Sequence, residues 1–88
     1  MNAEKPSPRT HARPLITTLG RKLKLLQRHD RRQWWSIDEA RFCTRCEHLF
    51  LGREIRFLED DDSVVHFHCP TYECEGTLPD WDYPELHL

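Results

Sequence analysis

Four cysteines in two close pairs are the residues of this chain best suited to chemistry. Two residues separate Cys43 from Cys46, four separate Cys69 from Cys74, and 22 residues lie between the pairs. Thiolate sulfur is a preferred ligand of Zn²⁺, which takes four ligands in a tetrahedron with bonds of about 2.3 Å. Two turns that each present two sulfur atoms would complete such a site. The spacing therefore predicts one structural zinc ion bound by these four cysteines.

The segment that carries the cysteines resembles a zinc ribbon. Its two cysteine pairs stand where the two knuckles of that family would place their ligands, and a hairpin pattern lies between them. The resemblance covers residues 41–78 and implies a small zinc-binding β module. The second pair departs from the usual two-residue spacing, which leaves the identity of the fourth ligand open.

A rival ligand set replaces Cys74 with a histidine. The run Cys43-x2-Cys46-x19-His66-x2-Cys69 is similar to the first zinc site of LIM domains, although the second LIM site has no counterpart in this chain. His68 is another substitute. Both histidines fall on an expected strand, whereas Cys74 follows a turn, so we expect Cys74 to be the ligand. An iron–sulfur cluster or a redox dithiol is the other interpretation of these thiols.

A closed site of four cysteines predicts a structural rather than a catalytic metal. Catalytic zinc usually has three protein ligands and an open position for water. Four thiolates leave no such position, so we expect no enzyme activity and no small-molecule substrate. Several acid–base side chains nevertheless lie close to the cysteines in the sequence: Glu47, His48, His66, His68 and Glu73.

A β-hairpin is expected between the cysteine pairs. Two strand-like runs, residues 54–58 and 64–68, flank an acidic turn. Because strand side chains alternate, His66 and His68 would share one face of the hairpin. Residues 49–51 predict a third, shorter strand. The opposite, apolar face of the hairpin would comprise Ile55, Phe57, Val65 and Phe67.

The segment before the cysteines predicts an amphipathic basic helix. From residue 15 to residue 35, apolar side chains recur at helical spacing and cations cluster on the opposite side. Ser36 and Glu39 form a capping-box spacing, which predicts a break near Trp35 or Ser36 and a short helical turn that reaches Phe42. The alternative is a helix that continues through this point. The expected fold is a small α+β protein with four parts: a flexible arm (1–14), a basic helix and turn (15–40), a zinc-ribbon-like module (41–78) and an acidic, aromatic tail (79–88).

The charge of the chain is divided between its halves. The net charge is −2, but residues 1–45 carry eleven Lys or Arg against four Asp or Glu, whereas residues 46–88 carry two against eleven. Such asymmetry indicates a partner for one half or contact between the two. No apolar run approaches the ~20 residues of a membrane helix, so we expect no membrane partner. Cysteines without a secretory signal indicate a reducing compartment, and we expect a cytoplasmic protein.

The cationic face of the helix is the candidate contact with a partner. Clustered Lys and Arg are typical of nucleic-acid binders, and an aromatic side chain beside them can stack on a base. The acidic module would repel phosphate or dock on the helix. We expect an accessory factor that binds nucleic acid or a ribonucleoprotein, and the alternative is a protein–protein interaction adaptor on a larger assembly. The residues concerned are Arg21, Lys24, Arg28, Arg31, Arg32 and Trp35.

Overall fold

The computed structural model describes residues 12–87 and contains one helix and two small antiparallel sheets. The first sheet has the strand order β1-β4-β5, and the second has the order β3-β2-β6. This architecture confirms the small α+β class expected from the sequence. The elements are β1 (Arg13–Pro14), α1 (Leu19–His29), β2 (Ala40–Cys43), β3 (Leu49–Leu51), β4 (Arg56–Glu59), β5 (Val65–His68) and β6 (Trp81–Asp82), with short 3-10 turns at Gly52–Glu54, Leu78–Asp80 and Pro84–His87.

Strands β4 and β5 form the expected hairpin in the first sheet. Phe57 pairs with Phe67, and their rings meet edge to face with 5.2 Å between the ring centroids. The Asp60 carboxylate accepts hydrogen bonds from two backbone N–H groups of the turn, which closes the hairpin. The register places the two histidines of β5 on the face opposite Phe67, as the alternation of side chains predicts.

The second sheet joins segments that lie far apart in the sequence. Strand β3 is the short strand expected at residues 49–51, and it pairs with β2. Strand β6 pairs with the other edge of β2, so that Cys43 stands opposite Trp81. The helical turn expected to reach Phe42 is wrong in part: a turn ends at Glu39 and β2 begins at Ala40. The reason is that side chains along β2 alternate between the surface and the core, which is the period of a strand.

Helix α1 is shorter than the span of residues 15–35 indicated by periodicity. Thr18 begins it, because its hydroxyl oxygen accepts a hydrogen bond from the Arg21 N–H at 3.1 Å. Asp30 ends it, because its carboxylate accepts a hydrogen bond of 3.0 Å from the backbone N–H of Arg32. Side-chain bonds of this kind compete with helical backbone bonds. Three of the candidate partner-binding residues therefore lie beyond the end of the helix: Arg31, Arg32 and Trp35.

Of the arm expected over residues 1–14, residues 1–11 lie outside the described part of the chain. At its end, Arg13 and Pro14 form β1 and pair with β4 at the edge of the first sheet. Proline is tolerated in an edge strand because no neighbouring strand needs its missing N–H. The Arg13 guanidinium also lies 3.2 Å from the Asp61 carboxylate. This end of the arm is therefore attached to the first sheet.

One apolar core draws side chains from α1, from both sheets and from the loop between α1 and β2. Its two largest members, Trp34 and Trp81, are 1% and 0% exposed. Burial of aromatic and aliphatic surface is the main favourable term in a domain of this size. The buried members are Leu25, Leu26, Trp34, Ile37, Cys43, Phe50, Ile55, Phe57, Phe67, Cys69 and Trp81.

A buried arginine connects this core to the C-terminal residues. Arg41 is 1% exposed, and its guanidinium carbon lies 3.9 Å from the ring centroid of Trp34 and 4.8 Å from that of Tyr83. Its charge is balanced by Glu39, with 3.2 Å between nitrogen and oxygen, and it donates a hydrogen bond to the Gln33 carbonyl. A buried charge without partners would be strongly destabilising. These contacts therefore hold β2, the preceding loop and the C-terminal segment together.

A methyl group at position 52 should destabilise the fold. A Cβ atom on Gly52 would lie 2.6 Å from the Ile37 carbonyl oxygen and 2.7 Å from the Trp34 ring. We expect Gly52→Ala to lower the free energy of unfolding by about 1–3 kcal/mol, as overpacking of a core does. Urea unfolding at a fixed zinc concentration measures the change.

The matched control is Gly20→Ala in α1. A Cβ atom there would have no neighbouring atom closer than 3.9 Å. We expect this variant to raise the free energy of unfolding by up to about 1 kcal/mol, because alanine favours a helix over glycine. A Gly52→Ala variant that is as stable as the wild-type protein would contradict the packing described around Gly52.

Candidate metal centre

Two turns, one from each sheet, position the cysteines. Cys43 is the last residue of β2, and Cys46 lies in the turn between β2 and β3. Cys69 directly follows β5, and Cys74 lies in the loop that leads towards β6. We call these residues the four-cysteine cluster. The second sheet thus supplies one pair of thiols, and the end of the first sheet supplies the other.

The first turn reverses the chain within five residues. The Cys43 N–H donates a hydrogen bond to the His48 carbonyl at 3.0 Å, and the Glu47 N–H donates one to the Cys43 carbonyl at 2.7 Å. Glu47 has a φ of 61°, in the left-handed region that non-glycine residues seldom adopt. This conformation returns the chain into β3 and leaves the thiols of Cys43 and Cys46 facing the second pair.

The second turn is wider and has its own closing bonds. The Cys69 N–H donates to the Gly76 carbonyl at 2.9 Å, and the Cys74 N–H donates to the Thr71 carbonyl at 3.0 Å. Glu73, just before Cys74, also has a left-handed φ of 63°. The longer spacing of this pair is therefore accommodated by a tight turn set inside a larger loop.

The four sulfur atoms have the separations of a tetrahedral thiolate site. All four Sγ atoms lie within 4.8 Å of one another, and the Cys43–Cys74 and Cys46–Cys69 sulfur pairs are each 3.7 Å apart. A regular tetrahedron with metal–sulfur bonds of about 2.3 Å has sulfur–sulfur edges of about 3.8 Å. A disulfide would require about 2 Å, and all four cysteines are free. The arrangement thus matches the size of a four-thiolate metal centre.

Gly76 brings backbone directly against the sulfur atoms. A Cβ atom at this position would lie 2.8 Å from Cys43 Sγ and 3.4 Å from both Cys74 Sγ and Trp81 Nε1. The Gly76 N–H is positioned to donate to Cys74 Sγ at 3.4 Å. Backbone N–H groups directed at sulfur stabilise thiolate charge. The residues around the cluster therefore fit a bound metal cation.

Burial and hydrogen bonding act in opposite directions on the thiols. Burial raises the pKa of Cys43 and of Cys69. Burial acts to raise the pKa of Cys46 too, but the hydrogen bonds of this thiol with Thr71 and His48 have a larger and opposite effect. The pKa of Cys46 is therefore lower than its usual value. The Thr71 hydroxyl oxygen lies 3.3 Å from Cys46 Sγ. Because a metal ion must displace protons from buried thiols, binding should release protons and weaken in acid.

The histidines considered as substitute ligands lie outside the cluster. His66 Nε2 lies 2.9 Å from an Asp60 carboxylate oxygen, and this contact is the main cause of a lowered pKa at Asp60. His68 is half-buried on the outer face of β5, and burial lowers its pKa. Among residues 12–87, the only His, Cys, Asp and Glu side chains that converge as a possible metal site are the four cysteines. The structure therefore does not assemble the LIM-like ligand set.

The cysteine spacing does not indicate the side chains that surround the sulfur atoms. Thr71 was not assigned a role, although it lies two residues after Cys69 in the second turn. Trp81 was placed in the tail, yet it is buried opposite Cys43 in the second sheet. A signal for Trp81 was present, since an aromatic residue near a small metal module often completes its core. No local signal indicated its partner strand.

The structure places the residues proposed for partner binding in two groups. Arg21, Lys24 and Arg28 are exposed on α1, and none of them forms an ion pair within residues 12–87. The second group lies in the loop beyond the helix, where Arg31 is exposed but Arg32 is half-buried. We call the exposed cations Arg21, Lys24, Arg28 and Arg31 the basic surface.

Arg32 and Trp35 differ in accessibility. The Arg32 guanidinium bonds to the Asp82 carboxylate at 2.7 Å, so its charge is already paired within the molecule. Trp35 is 76% exposed, while its backbone N–H is held by the Glu39 carboxylate. Trp35 also borders a shallow cavity of about 310 Å³ with Gln27 and Arg31. The loop thus presents a large aromatic ring beside a cation.

Comparisons with known proteins provide no family assignment. A scan of protein-family models finds no match to this chain, and searches of curated proteins and of solved structures find none either. Within the part of the chain that the structure describes, no helix has the length and apolar character needed to cross a membrane.

Replacement of the fourth thiol should separate the two candidate ligand sets. We expect Cys74→Ser to lose zinc affinity severely, because Cys74 Sγ is one corner of the four-sulfur arrangement. His66→Ala and His68→Ala should retain near-normal affinity, because neither ring joins that arrangement. Competition with a chromophoric chelator measures the affinity of each variant. Loss of zinc from His66→Ala with retention by Cys74→Ser would establish the LIM-like set instead.

Proposed function

We propose that this protein is a non-enzymatic binding module of the zinc-ribbon type, folded around one structural zinc ion. The observation that carries the proposal is the convergence of four cysteine sulfur atoms within 4.8 Å. Four thiolates favour zinc among common cellular metals and leave no ligand position for water. A reducing compartment such as the cytoplasm would keep the thiols available for metal.

The zinc ion would supply cross-linking rather than reaction chemistry. Cys43 and Cys46 would hold it from the second sheet, and Cys69 and Cys74 from the end of the first. Structural zinc contributes roughly 10–16 kcal/mol of apparent binding free energy in small modules. A hydrophobic core in a domain of this size rarely supplies more than about 3–5 kcal/mol of net stability. The metal would therefore be the larger contribution to folding.

We further propose that the basic surface binds nucleic acid, alone or within a ribonucleoprotein. Three of its cations project from α1 and the fourth from the loop beyond it, and all four are exposed. Exposed cations without internal partners can neutralise phosphates, and release of counterions then drives binding. Arg32 contributes less than the sequence suggested, because Asp82 already pairs with it.

Trp35 gives this surface a means of contacting bases. Its ring is largely exposed, whereas Trp34 before it and Ile37 after it are buried. Its backbone N–H donates a hydrogen bond to the Glu39 carboxylate, which fixes the backbone at this position. Stacking of a base on such a ring contributes about 1–3 kcal/mol and tolerates any base. The proposed contact is therefore weak in sequence preference and strongest for unpaired bases.

A protein–protein adaptor is the second candidate function. The register of the second sheet places Leu49 and Leu51 on its outer face, where they are 58% and 38% exposed. Exposed aliphatic side chains on an edge strand favour contact with another protein. Under this alternative the zinc ion keeps the same structural role, and the charged surfaces serve a protein partner.

Removal of the metal should unfold the sheets around the four-cysteine cluster. We expect purified protein to contain about one zinc ion per chain, and a strong chelator to collapse the amide NMR spectrum of residues 41–78. Readdition of zinc should restore the spectrum. Elemental analysis that finds no zinc, or a chelated protein whose spectrum is unchanged, would refute the structural metal.

Charge reversal on the basic surface should abolish nucleic-acid binding. The variant that changes Arg21, Lys24, Arg28 and Arg31 to Glu should lose affinity for a single-stranded oligonucleotide while it retains zinc. Wild-type affinity for this single strand should fall with salt at a log–log slope of about −3, because about four phosphates are neutralised. Fluorescence anisotropy measures both quantities.

Two single substitutions that change the net charge by the same amount provide the control. Lys24→Glu and Arg53→Glu change the net charge equally, but Arg53 lies in the 3-10 turn after β3 and pairs with Asp38. We expect Lys24→Glu to weaken binding and Arg53→Glu to leave it nearly unchanged. Equal losses would indicate a nonspecific effect of net charge. If the wild-type protein binds no nucleic acid at low salt, the adaptor function stands in its place.

A further inference from the structure

The indole nitrogen of Trp81 has no hydrogen-bond partner among the described residues, although it is fully buried. Trp81 is 0% exposed, and its Nε1 atom is one of two buried side-chain nitrogen atoms without a partner in residues 12–87. A buried donor left unsatisfied costs about 1–3 kcal/mol. The other buried indole, that of Trp34, donates to Asp30 at 2.7 Å. The unpaired N–H of Trp81 therefore requires an explanation.

The location of the Trp81 ring provides one. Trp81 stands directly opposite Cys43 in the β2–β6 pair, so both side chains project from the same face of the second sheet. A Cβ atom added to Gly76 would lie 3.4 Å from Trp81 Nε1, 2.8 Å from Cys43 Sγ and 3.4 Å from Cys74 Sγ. The indole nitrogen and the Cys43–Cys74 edge of the cluster therefore lie against the same glycine.

Packing restricts reorientation of the indole. Phe50, on the neighbouring strand β3, meets the ring of Trp81 edge to face with 5.1 Å between the centroids. The nitrogen thus remains on the side of Gly76 and the sulfur atoms. A side chain at position 76 would occupy the space between them.

We propose that the indole N–H of Trp81 is a hydrogen-bond donor to the metal-bound thiolates at the Cys43–Cys74 edge. This proposal rests on the metal centre proposed above and assigns Trp81 as a positioning residue for it. A neutral thiol is a weak acceptor, whereas a thiolate is a strong one. Four thiolates and one divalent cation leave two negative charges in a largely buried site, and each directed N–H lowers the cost of that burial.

Trp81 would complete a shell of donors that the structure already begins. The Gly76 N–H is positioned to donate to Cys74 Sγ. The Thr71 hydroxyl oxygen accepts from the Cys46 thiol at 3.3 Å, and the hydroxyl would donate to that sulfur once it is a thiolate. Outer partners of this kind orient ligands and typically change metal affinity by about 10–100-fold. The donor pattern would therefore favour the metal-bound, charged state over the state with neutral thiols.

Cobalt substitution of the full chain tests this assignment. Co²⁺ bound to thiolates has a sulfur-to-metal charge-transfer band, and a hydrogen bond to sulfur raises the energy of that band. We expect Trp81→Phe to shift the band to longer wavelength and to weaken cobalt binding by about 10–100-fold. Trp34→Phe is the matched control, because it also removes a buried indole but one bonded to Asp30. It should leave the band unchanged.

The outcomes separate this inference from the metal centre itself. An unshifted band in Trp81→Phe overturns the role of Trp81 while the four-thiolate site stands. Absence of any thiolate band in the wild-type protein overturns the metal centre. If Trp81→Phe does not fold, wild-type protein loaded with ¹¹³Cd decides the matter: a scalar coupling between the indole proton and cadmium is expected, and its absence at a four-sulfur cadmium shift refutes the hydrogen bond.

Discussion

The convergence of four sulfur atoms is the constraint on which the rest of this structure depends. Each sheet has only three strands, and two of the six strands contain two residues. Neither sheet could bury enough apolar surface to be stable alone. The four-cysteine cluster draws on the end of each sheet and brings them to one core. A metal bound there would join the two sheets through four metal–sulfur bonds, and these would stabilise the fold in place of the larger buried apolar surface that a longer chain would have.

Within residues 12–87, cations of the basic half pair with carboxylates of the acidic half at two places. Arg32 pairs with Asp82 and Arg13 lies against Asp61, whereas the buried Arg41 pairs with Glu39 of its own half. The first two pairs are at or near the surface, where an ion pair contributes at most about 1 kcal/mol. Within residues 12–87, intramolecular pairing therefore leaves Arg21, Lys24 and Arg28 of the helix exposed.

Local patterns in the sequence predicted the parts of the fold that depend on neighbouring residues. The cysteine spacing identified the converging side chains, and alternation around an acidic turn located the β4–β5 hairpin. Features that depend on distant residues could not be predicted in the same way. The burial of Trp81 depends on the pairing of β6 with β2, and the burial of Arg41 depends on Tyr83, from a segment about 40 residues away. A charged residue gives no local sign that such partners exist.

The pairing of β6 with β2 also bears on the order in which this protein can be assembled during synthesis. Strand β2 leaves the ribosome early, but its edge remains open until residues about 40 positions later arrive to pair with it. Cys43 and Cys46 emerge together and could hold a metal only through two thiols, since Cys69 and Cys74 follow much later. Contacts of such sequence separation form late and slowly. The nascent chain therefore exposes two thiols without their metal-binding partners until Cys74 has been made, and an unpaired strand edge until Asp82 has been made.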